Sequence, residues 1–202
     1  AVDVVVCVSK LVQSVQCAPA THVIYNGVDT DRFSFVQGRR DGSRVHVVQV
    51  ANAAKVLHYE LAEIAAQVPA PAITSCMVGS RAALPGAQWI GEQQDMPRVY
   101  HAADLLFLVE KKAAFGLVFA EVMACGALPI VSSDSGAKEL VQQGETGWVV
   151  PPGNEALAVH ALQEAAQAVA SPLFCAMQQK ARQCVEQRFS STRMQKDYAA
   201  LW

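Results

Sequence analysis

The chain has 202 residues, of which 52% are hydrophobic and 17% are charged, and its formal net charge is −2. Such a composition is typical of one folded α/β domain and excludes long disordered segments. Lysine and arginine form no basic block beyond local pairs such as Lys111-Lys112, which argues against a nucleic-acid partner because that needs clustered positive charge.

Short β-branched runs alternate with longer helical patterns along the whole chain. Strands are predicted near Val4–Val8, His22–Tyr25, Arg44–Val50, Ile73–Val78, Gln88–Ile90, Asp104–Val109, Leu128–Ser132 and Trp148–Val150. Helices are predicted near Tyr59–Gln67, Met96–Ala103, Leu117–Cys125, Ala137–Gln143, Glu155–Ala168, Pro172–Arg188 and Ser191–Leu201. This alternation predicts a doubly wound, Rossmann-like α/β fold, a parallel sheet with helices on both faces. Ligands of such sheets bind at the carboxyl ends of the strands, where strands lead into helices.

Six cysteines lie far apart, with no Cys-x-x-Cys pair and no histidine at metal-ligand spacing: Cys7, Cys17, Cys76, Cys125, Cys175 and Cys184. Several fall inside apolar runs, where cysteine behaves as a small hydrophobic residue. We therefore expect reduced thiols in a cytoplasmic protein, without a disulfide framework or a zinc site. Neither a signal peptide nor an apolar run of about 18 residues is visible. Since Ala1 leads straight into a strand pattern, we expect the chain to be the interior of a longer protein.

The helix predicted over Leu117–Cys125 is apolar on every side except at Glu121. It should therefore be buried, with Gly126 as a left-handed cap at its end. A carboxylate on such a helix is costly to bury unless hydrogen bonds reach it. Glu121 is therefore expected to face either the vicinal hydroxyls of a ribose or a structural lysine or arginine. Gly116, where the helix begins, would let a diphosphate approach the backbone amides and the positive end of the helix dipole.

The run from Phe115 to Val131 resembles the signature of the retaining GT-B glycosyltransferases of family 4. The resemblance continues in step through residues 133–136, 139–141 and 144–154. Weaker matches in the same order are Val8-Ser9, Asn26-Gly27-Val28-Asp29, Phe33, Val78-Gly79, Gly91, Tyr100, Ala103-Asp104, Arg188-Phe189-Ser190 and Tyr198. The chain thus resembles the family over nearly its whole length.

Members of that family have two Rossmann-like domains, an N-terminal one for the acceptor and a C-terminal one for the nucleotide-sugar donor. The resemblance implies that residues 21–202 form the donor domain, including its terminal crossover helix. Residues 1–20 would hold the last strand and the hinge of an absent acceptor domain. The parent protein would be a carbohydrate-biosynthesis enzyme that transfers a hexose-type sugar with retention, from a nucleotide-diphosphate sugar as substrate, without metal or cofactor. The isolated domain would be inactive, and any peripheral membrane association would run through the absent half.

The resemblance also assigns donor-binding residues. Glu121 is implied to hold the ribose, and the backbone amides of Phe115, Gly116 and Leu117 to lie near the diphosphate. The glutamate that contacts the transferred sugar in the family falls on Ala113 in this sequence. Glu110 lies three residues away, a shift along the strand end that makes an equivalent geometry improbable.

The cations that clamp the diphosphate in the family, an arginine and a lysine, fall on Asn52 and Leu57. A slightly different alignment would make Lys55 the family lysine, and Arg81 or Lys111 are other cations that this branch would use instead. Truncating a desolvated charge partner costs about 2–5 kcal/mol, so two such losses reduce rate or affinity by roughly a thousandfold. Catalysis is therefore expected to be altered, feeble or absent. Two alternatives stay open: a degenerate module for assembly or ligand sensing, and a nucleotide-sugar epimerase.

Other polar residues are predicted to be structural. Asp29-Thr30-Asp31 spells the metal-binding Asp-x-Asp of the GT-A fold, but it follows the turn Asn26-Gly27-Val28, so no metal role is predicted. Asp134 is predicted to cap the following helix or turn, and Lys138 and Glu139 are either surface residues or ligand-facing. The histidines lack partners at recognisable spacing and are predicted to be surface or strand residues: His22, His46, His58, His101 and His160.

Overall fold

The computed structural model describes residues 4–16, 21–36, 44–51, 57–69, 71–80 and 86–201. Within these ranges eight strands form two parallel sheets. The strands are β1 (Val5–Cys7), β2 (Thr21–Val23), β3 (Val45–Val50), β4 (Ile73–Val78), β5 (Gln88–Trp89), β6 (Leu105–Leu108), β7 (Leu128–Ser132) and β8 (Trp148–Val150). The helices are α1 (Lys10–Ser14), α2 (Leu61–Ala65), α3 (Met96–Ala102), α4 (Leu117–Cys125), α5 (Glu155–Val169), α6 (Phe174–Arg188) and α7 (Ser191–Ala199), with a 3-10 helix over Gly136–Glu139.

The larger sheet has the strand order β5-β4-β3-β6-β7-β8, with every neighbouring pair parallel. Strands β6 and β7 are buried along their whole length. Helices pack against the sheet, and this burial is why both strands are continuous apolar runs without alternation. The predicted doubly wound, Rossmann-like α/β fold is confirmed.

The chain reverses its direction of winding between β3 and β6. From β3 it moves outward to β4 and β5, then returns to β6 beside β3 and continues to β7 and β8. In open α/β sheets of this kind, the crevice at such a switch point, outside the carboxyl ends of the strands, is where ligands bind. The segments that leave β3, β6 and β7 at this edge are therefore the first place to look for a site.

Two predicted helices are shorter in the structure and one helix was not predicted, while the bounds of the other elements agree to within two residues. The helix expected over Ala137–Gln143 is only the short 3-10 helix, because the Gln142 amide turns to the Thr146 hydroxyl instead of continuing a helical ladder (2.9 Å). The helix expected from Tyr59 begins at Leu61, since the amide of His58 is held by the Val109 carbonyl at the end of β6 (2.7 Å). Helix α1 was not predicted, because five residues are too few for a periodic pattern.

The smaller sheet consists of β1 and β2, which pair with each other and with no strand of the larger sheet within the described residues. The predicted domain boundary near residue 20 falls between these two paired strands, and it stays a prediction. None of the described helices combines the length and the apolar character needed to cross a bilayer.

Candidate functional site

Helix α4 begins at the carboxyl end of β6 with a glycine in the left-handed region. Gly116 has φ 84° and ψ 76°, and a Cβ on it would lie 2.6 Å from two ring carbons of Phe119. The predicted left-handed cap at the other end of the helix is confirmed, since Gly126 has φ 94°. Of the residues beside Gly116, Phe115 is buried and Leu117 is 40% exposed. The backbone at the start of α4 therefore reaches the surface next to the switch point, with its positive dipole end outward.

Glu121 lies one turn into α4 and is half-buried. Its Oε2 accepts a hydrogen bond from the hydroxyl of Tyr100 in α3 (3.0 Å). Tyr100 is only 1% exposed, and burial, followed by the charge of Glu121, raises the pKa of Tyr100 far above its ordinary value. Glu121 is thus oriented toward the α3 side of the helix by a buried hydroxyl, and its role in binding a ribose stays a prediction.

A cavity of about 270 Å³ opens at the same edge of the sheet, at the carboxyl ends of β3 and β4. Gly79 lines the cavity and packs directly against Ala51, because a Cβ there would lie 1.9 Å from the Ala51 carbonyl oxygen. The cavity is lined by Val50, Ala51, Val78, Gly79, Ser80, Glu92, Gln93 and Met96. Met96 is the first residue of α3, the helix that also carries Tyr100. Helix α3 therefore contacts both the cavity, through Met96, and Glu121, through Tyr100.

Glu110 is buried just after β6, three residues before Ala113. Its backbone forms an antiparallel bridge with Leu57, and its Oε1 lies 3.8 Å from the position of a Cβ on Gly116. The positive end of α4 stabilises a carboxylate in this place. That Glu110 does not replace the family glutamate stays a prediction.

The loop at Ala113 is tied to the neighbouring loop after β7. The Ala113 carbonyl accepts hydrogen bonds from the Gly136 amide (2.8 Å) and from the Ser135 hydroxyl (3.4 Å). Gly136 packs so closely that a Cβ on it would lie 2.0 Å from the Ala114 carbonyl oxygen. The loops that follow β6 and β7 therefore form one connected surface.

Segment α1 supports this surface from the other side. The Ser9 hydroxyl donates to the Ala114 carbonyl (2.5 Å). The Glu139 carboxylate accepts from the backbone amide of Lys10 at the start of α1 (3.1 Å) and from the Tyr25 hydroxyl (2.8 Å). Glu139 was expected to be either a surface residue or ligand-facing, but it is half-buried and binds other residues of the chain, while Lys138 is exposed.

The Tyr25–Glu139 contact makes the stability of the fold depend on pH. Burial and the hydrogen bond to Glu139 raise the pKa of Tyr25 from 10.0 to about 12. The folded protein therefore keeps a proton between pH 10 and 12 that the unfolded chain loses, and stability from this contact falls as the pH rises through that window. We expect the stability difference between the wild type and Tyr25→Phe in urea unfolding to shrink from pH 9 to pH 12. A constant difference would contradict the raised pKa.

The cations expected to hold a diphosphate are only partly within the described residues. Asn52, Lys55 and Arg81 lie outside them. Lys111 and Lys112 are exposed in the turn that leads from β6 to α4. Lys112 has φ 50° and is the one non-glycine residue of the described ranges with a left-handed backbone, which places conformational strain in this turn.

Sequence reasoning missed a cluster at the carboxyl end of β7. His58 Nε2 donates to both carboxylate oxygens of Asp134 (3.3 and 3.2 Å), and the Ser132 hydroxyl donates to Oδ1. The predicted capping role of Asp134 is wrong, because Ser135 caps the 3-10 helix through the Ala137 amide (3.0 Å). The prediction of His58 as an unpartnered surface or strand residue is wrong as well. Only the position of each residue after a strand hints at the cluster, since 76 residues separate His58 from Asp134.

The Asp-x-Asp sequence forms a turn. Asp29 Oδ1 accepts hydrogen bonds from the backbone amides of Asp31 and Arg32 (3.0 Å each). No group of three histidine, cysteine, aspartate or glutamate side chains in the described ranges could hold a metal ion. The five described cysteines are free thiols.

The sequence matches a known protein family over more than half of the chain. The model of the family "Glycosyl transferases group 1" matches residues 73–182, a little more than half of the chain. The chain is 30% identical over 115 residues to N-acetyl-alpha-D-glucosaminyl L-malate synthase of Bacillus anthracis, an alignment that covers 56% of the chain and 29% of that protein. The chain thus spans less than a third of this curated relative.

Two solved structures share the fold over nearly the whole chain. Sucrose-phosphate synthase from Thermosynechococcus elongatus superposes with a TM-score of 0.81 and 22% identity, over 100% of this chain and 58% of that one. Anabaena Alr3699/HepE in complex with UDP-glucose superposes with a TM-score of 0.73 and 22% identity, over 98% of this chain and 63% of that one. At 22% identity, the similarity to these two structures establishes the fold of this chain.

Proposed function

Because the chain belongs to the group 1 glycosyl transferases, we propose that it binds a nucleotide-diphosphate sugar as the donor domain of a larger transferase. The parent protein would transfer a hexose-type sugar to an acceptor with retention and without a metal. The observation that carries this proposal is the alignment of three features along one edge of the sheet: the cavity at β3 and β4, Glu121 held by Tyr100, and the open start of α4 at Gly116.

Each feature matches one part of such a donor. The cavity of about 270 Å³ would take the nucleoside, with Glu92 and Gln93 as its polar lining. Glu121, which α3 links to the cavity through Tyr100, would accept hydrogen bonds from the ribose hydroxyls. The backbone amides from Phe115 to Leu117 would face the diphosphate, because the start of a helix favours negative charge.

Transfer requires charge stabilisation, since a nucleoside diphosphate leaves with developing negative charge. The dipole of α4 supplies part of it, and Lys111 or Lys112 in the preceding turn, or Lys55 and Arg81 outside the described residues, would supply more. The buried Glu110 carboxylate beside Gly116 opposes it. With Ala113 and Leu57 also apolar, weak donor binding and slow transfer are the expected outcome.

Free thiols at all five described cysteines support a reducing compartment and hence a cytoplasmic location. The residues 1–20 are proposed to belong to the hinge of an acceptor domain, and residues 21–202 to the donor domain. Since donor and acceptor sites would lie on different domains, this domain by itself should bind donor without transferring sugar.

The test is calorimetric titration of the 202-residue chain with UDP, GDP and ADP and with the glucose conjugate of each. We expect one nucleotide to bind with a dissociation constant of millimolar or tighter, and its affinity to be the same in EDTA. If none of the three binds, the donor-domain proposal fails. The apolar Leu57 and Ala113 would then favour the second candidate, a non-catalytic module of the same fold.

A further inference from the structure

Two polar side chains from separate parts of the fold, His58 and Ser132, converge on the Asp134 carboxylate at the end of β7. His58 follows β3 in sequence, whereas Ser132 and Asp134 belong to β7 and to the loop after it. Ser132 is fully buried, and the His58 side chain is 11% exposed. The Asp134 side chain, which accepts from both, is 31% exposed. One buried and one largely buried donor therefore hold a carboxylate that is open to solvent.

The local structure does not need this carboxylate. Ser135, and not Asp134, caps the 3-10 helix, and the loop is tied to Ala113 through Gly136 and Ser135. Burial by itself raises the pKa of Asp134, but the hydrogen bonds from Ser132 and His58 hold that pKa below its ordinary value. Asp134 is thus a charged, oriented acceptor at neutral pH, and sugar hydroxyls are donors that such an acceptor binds well.

The position of Asp134 relative to the other features follows from the strand order. The cavity lies at β3 and β4, the start of α4 follows β6, and Asp134 follows β7. Neighbouring strands are about 4.8 Å apart, so β4 and β7 are separated by roughly 14 Å. A nucleoside in the cavity and a diphosphate at Gly116 would therefore direct the next group of the donor toward the end of β7.

We propose that Asp134 determines sugar specificity by accepting hydrogen bonds from hydroxyls of the transferred sugar, with Ser132 and His58 as its positioning residues. This inference rests on the proposed donor-binding function, and it assigns to the carboxyl end of β7 the sugar portion of the donor. A contact of this cluster with the diphosphate is the competing geometry. The two geometries predict different losses when Asp134 is replaced. Contact with the sugar predicts a loss of affinity for the sugar nucleotide alone, and contact with the diphosphate predicts an equal loss for the diphosphate.

The experiment compares nucleoside diphosphates with their sugar conjugates on the 202-residue chain. Calorimetry measures UDP against UDP-glucose, and GDP and ADP against their glucose conjugates, for the wild type and for Asp134→Asn. The variant keeps the size of the side chain and loses its charge. We expect the affinity for the bound sugar nucleotide to fall by about tenfold or more, which is the effect of a lost hydrogen bond to a charged group, while the matching diphosphate binds as before.

Asp31→Asn is the matched control, because Asp31 is an exposed aspartate in the turn near the opposite end of α4. The guanidinium of Arg182 links that turn to the helix end, through the carbonyls of Thr30 (3.1 Å) and Ala124 (3.0 Å). This control should leave both affinities unchanged. If Asp134→Asn does not fold, Ser132→Ala is the second variant, because it removes one hydrogen bond that supports Asp134. It should weaken the binding of the sugar nucleotide and leave the binding of the diphosphate unchanged.

Three outcomes overturn the inference. An equal loss for diphosphate and sugar nucleotide would assign the cluster to the diphosphate. Unchanged affinities for both would leave Asp134 outside the donor site. If the wild type binds no nucleotide at all, the donor-domain proposal fails together with this one, whereas in the first two cases donor binding itself stands.

Discussion

Replacement of Gly116 by alanine is expected to abolish most donor binding and to destabilise the fold. At φ 84° an added Cβ would lie 2.6 Å from the ring of Phe119. The left-handed backbone costs about 1–2 kcal/mol for a residue with a side chain, and overpacking against a buried ring costs about 1–3 kcal/mol more. Relief requires Phe119 and the first turn of α4 to move, which displaces the amides aimed at the diphosphate. We expect the affinity for the bound diphosphate to fall by at least about tenfold.

Gly126→Ala provides the matched control at the other end of the same helix. Gly126 has φ 94°, and a Cβ on it would lie 3.0 Å from the ring of Phe35. This variant should therefore lose stability in urea unfolding while it binds nucleoside diphosphate as the wild type does. If Gly116→Ala also binds like the wild type, then the start of α4 is not where the diphosphate lies.

Replacement of Glu121 by glutamine is expected to weaken nucleotide binding by about tenfold to a hundredfold. That range corresponds to hydrogen bonds between a charged group and hydroxyls. The side-chain oxygen of glutamine can still accept the Tyr100 hydroxyl, which is 3.0 Å from Glu121 in the wild type, so the helix contact and the fold should persist. Calorimetry with the nucleoside diphosphate that the wild type binds measures the loss directly.

A 2′-deoxynucleotide shows whether that loss concerns the ribose. If Glu121 binds the vicinal hydroxyls, the wild type should bind the 2′-deoxy diphosphate more weakly, and Glu121→Gln should add little further loss. Glu164→Gln is the control, because Glu164 is exposed and pairs only loosely with His160 on α5 (3.7 Å). Additive losses from the 2′-deoxy ligand and from Glu121→Gln would show that this carboxylate acts elsewhere.

The buried centre of the fold was predictable because its pattern is local. The apolar runs that became β4, β7, β8 and α4 have the bounds that the sequence predicted, and each is flanked by a glycine, a proline or a polar strand end. A strand that is buried on both faces of a parallel sheet has a continuous hydrophobic sequence. Such a run can be recognised without knowing which strands lie beside it. The single carboxylate on α4 was visible for the same reason.

The polar contacts were not predictable, because they join distant parts of the chain. Asp134 looked like a helix cap, and only the return of the chain beside β6 brings His58 to it across 76 residues. Tyr100 reaches Glu121 because α3 and α4 pack on the same face of the sheet. Glu139 could not be assigned, since its partners at Lys10 and Tyr25 precede it by more than a hundred residues.

The hydrogen bonds of Ser9 and Glu139 limit how far this protein can be shortened at its N-terminal end. A version trimmed to start at Thr21 would strip the Ala114 carbonyl of its hydroxyl donor and the Glu139 carboxylate of the Lys10 amide. The segment leading into α4 would then lose an anchor only two residues before Gly116. Shortened versions for crystallisation or screening should therefore retain residues 4–16, even though these residues contribute no strand to the main sheet.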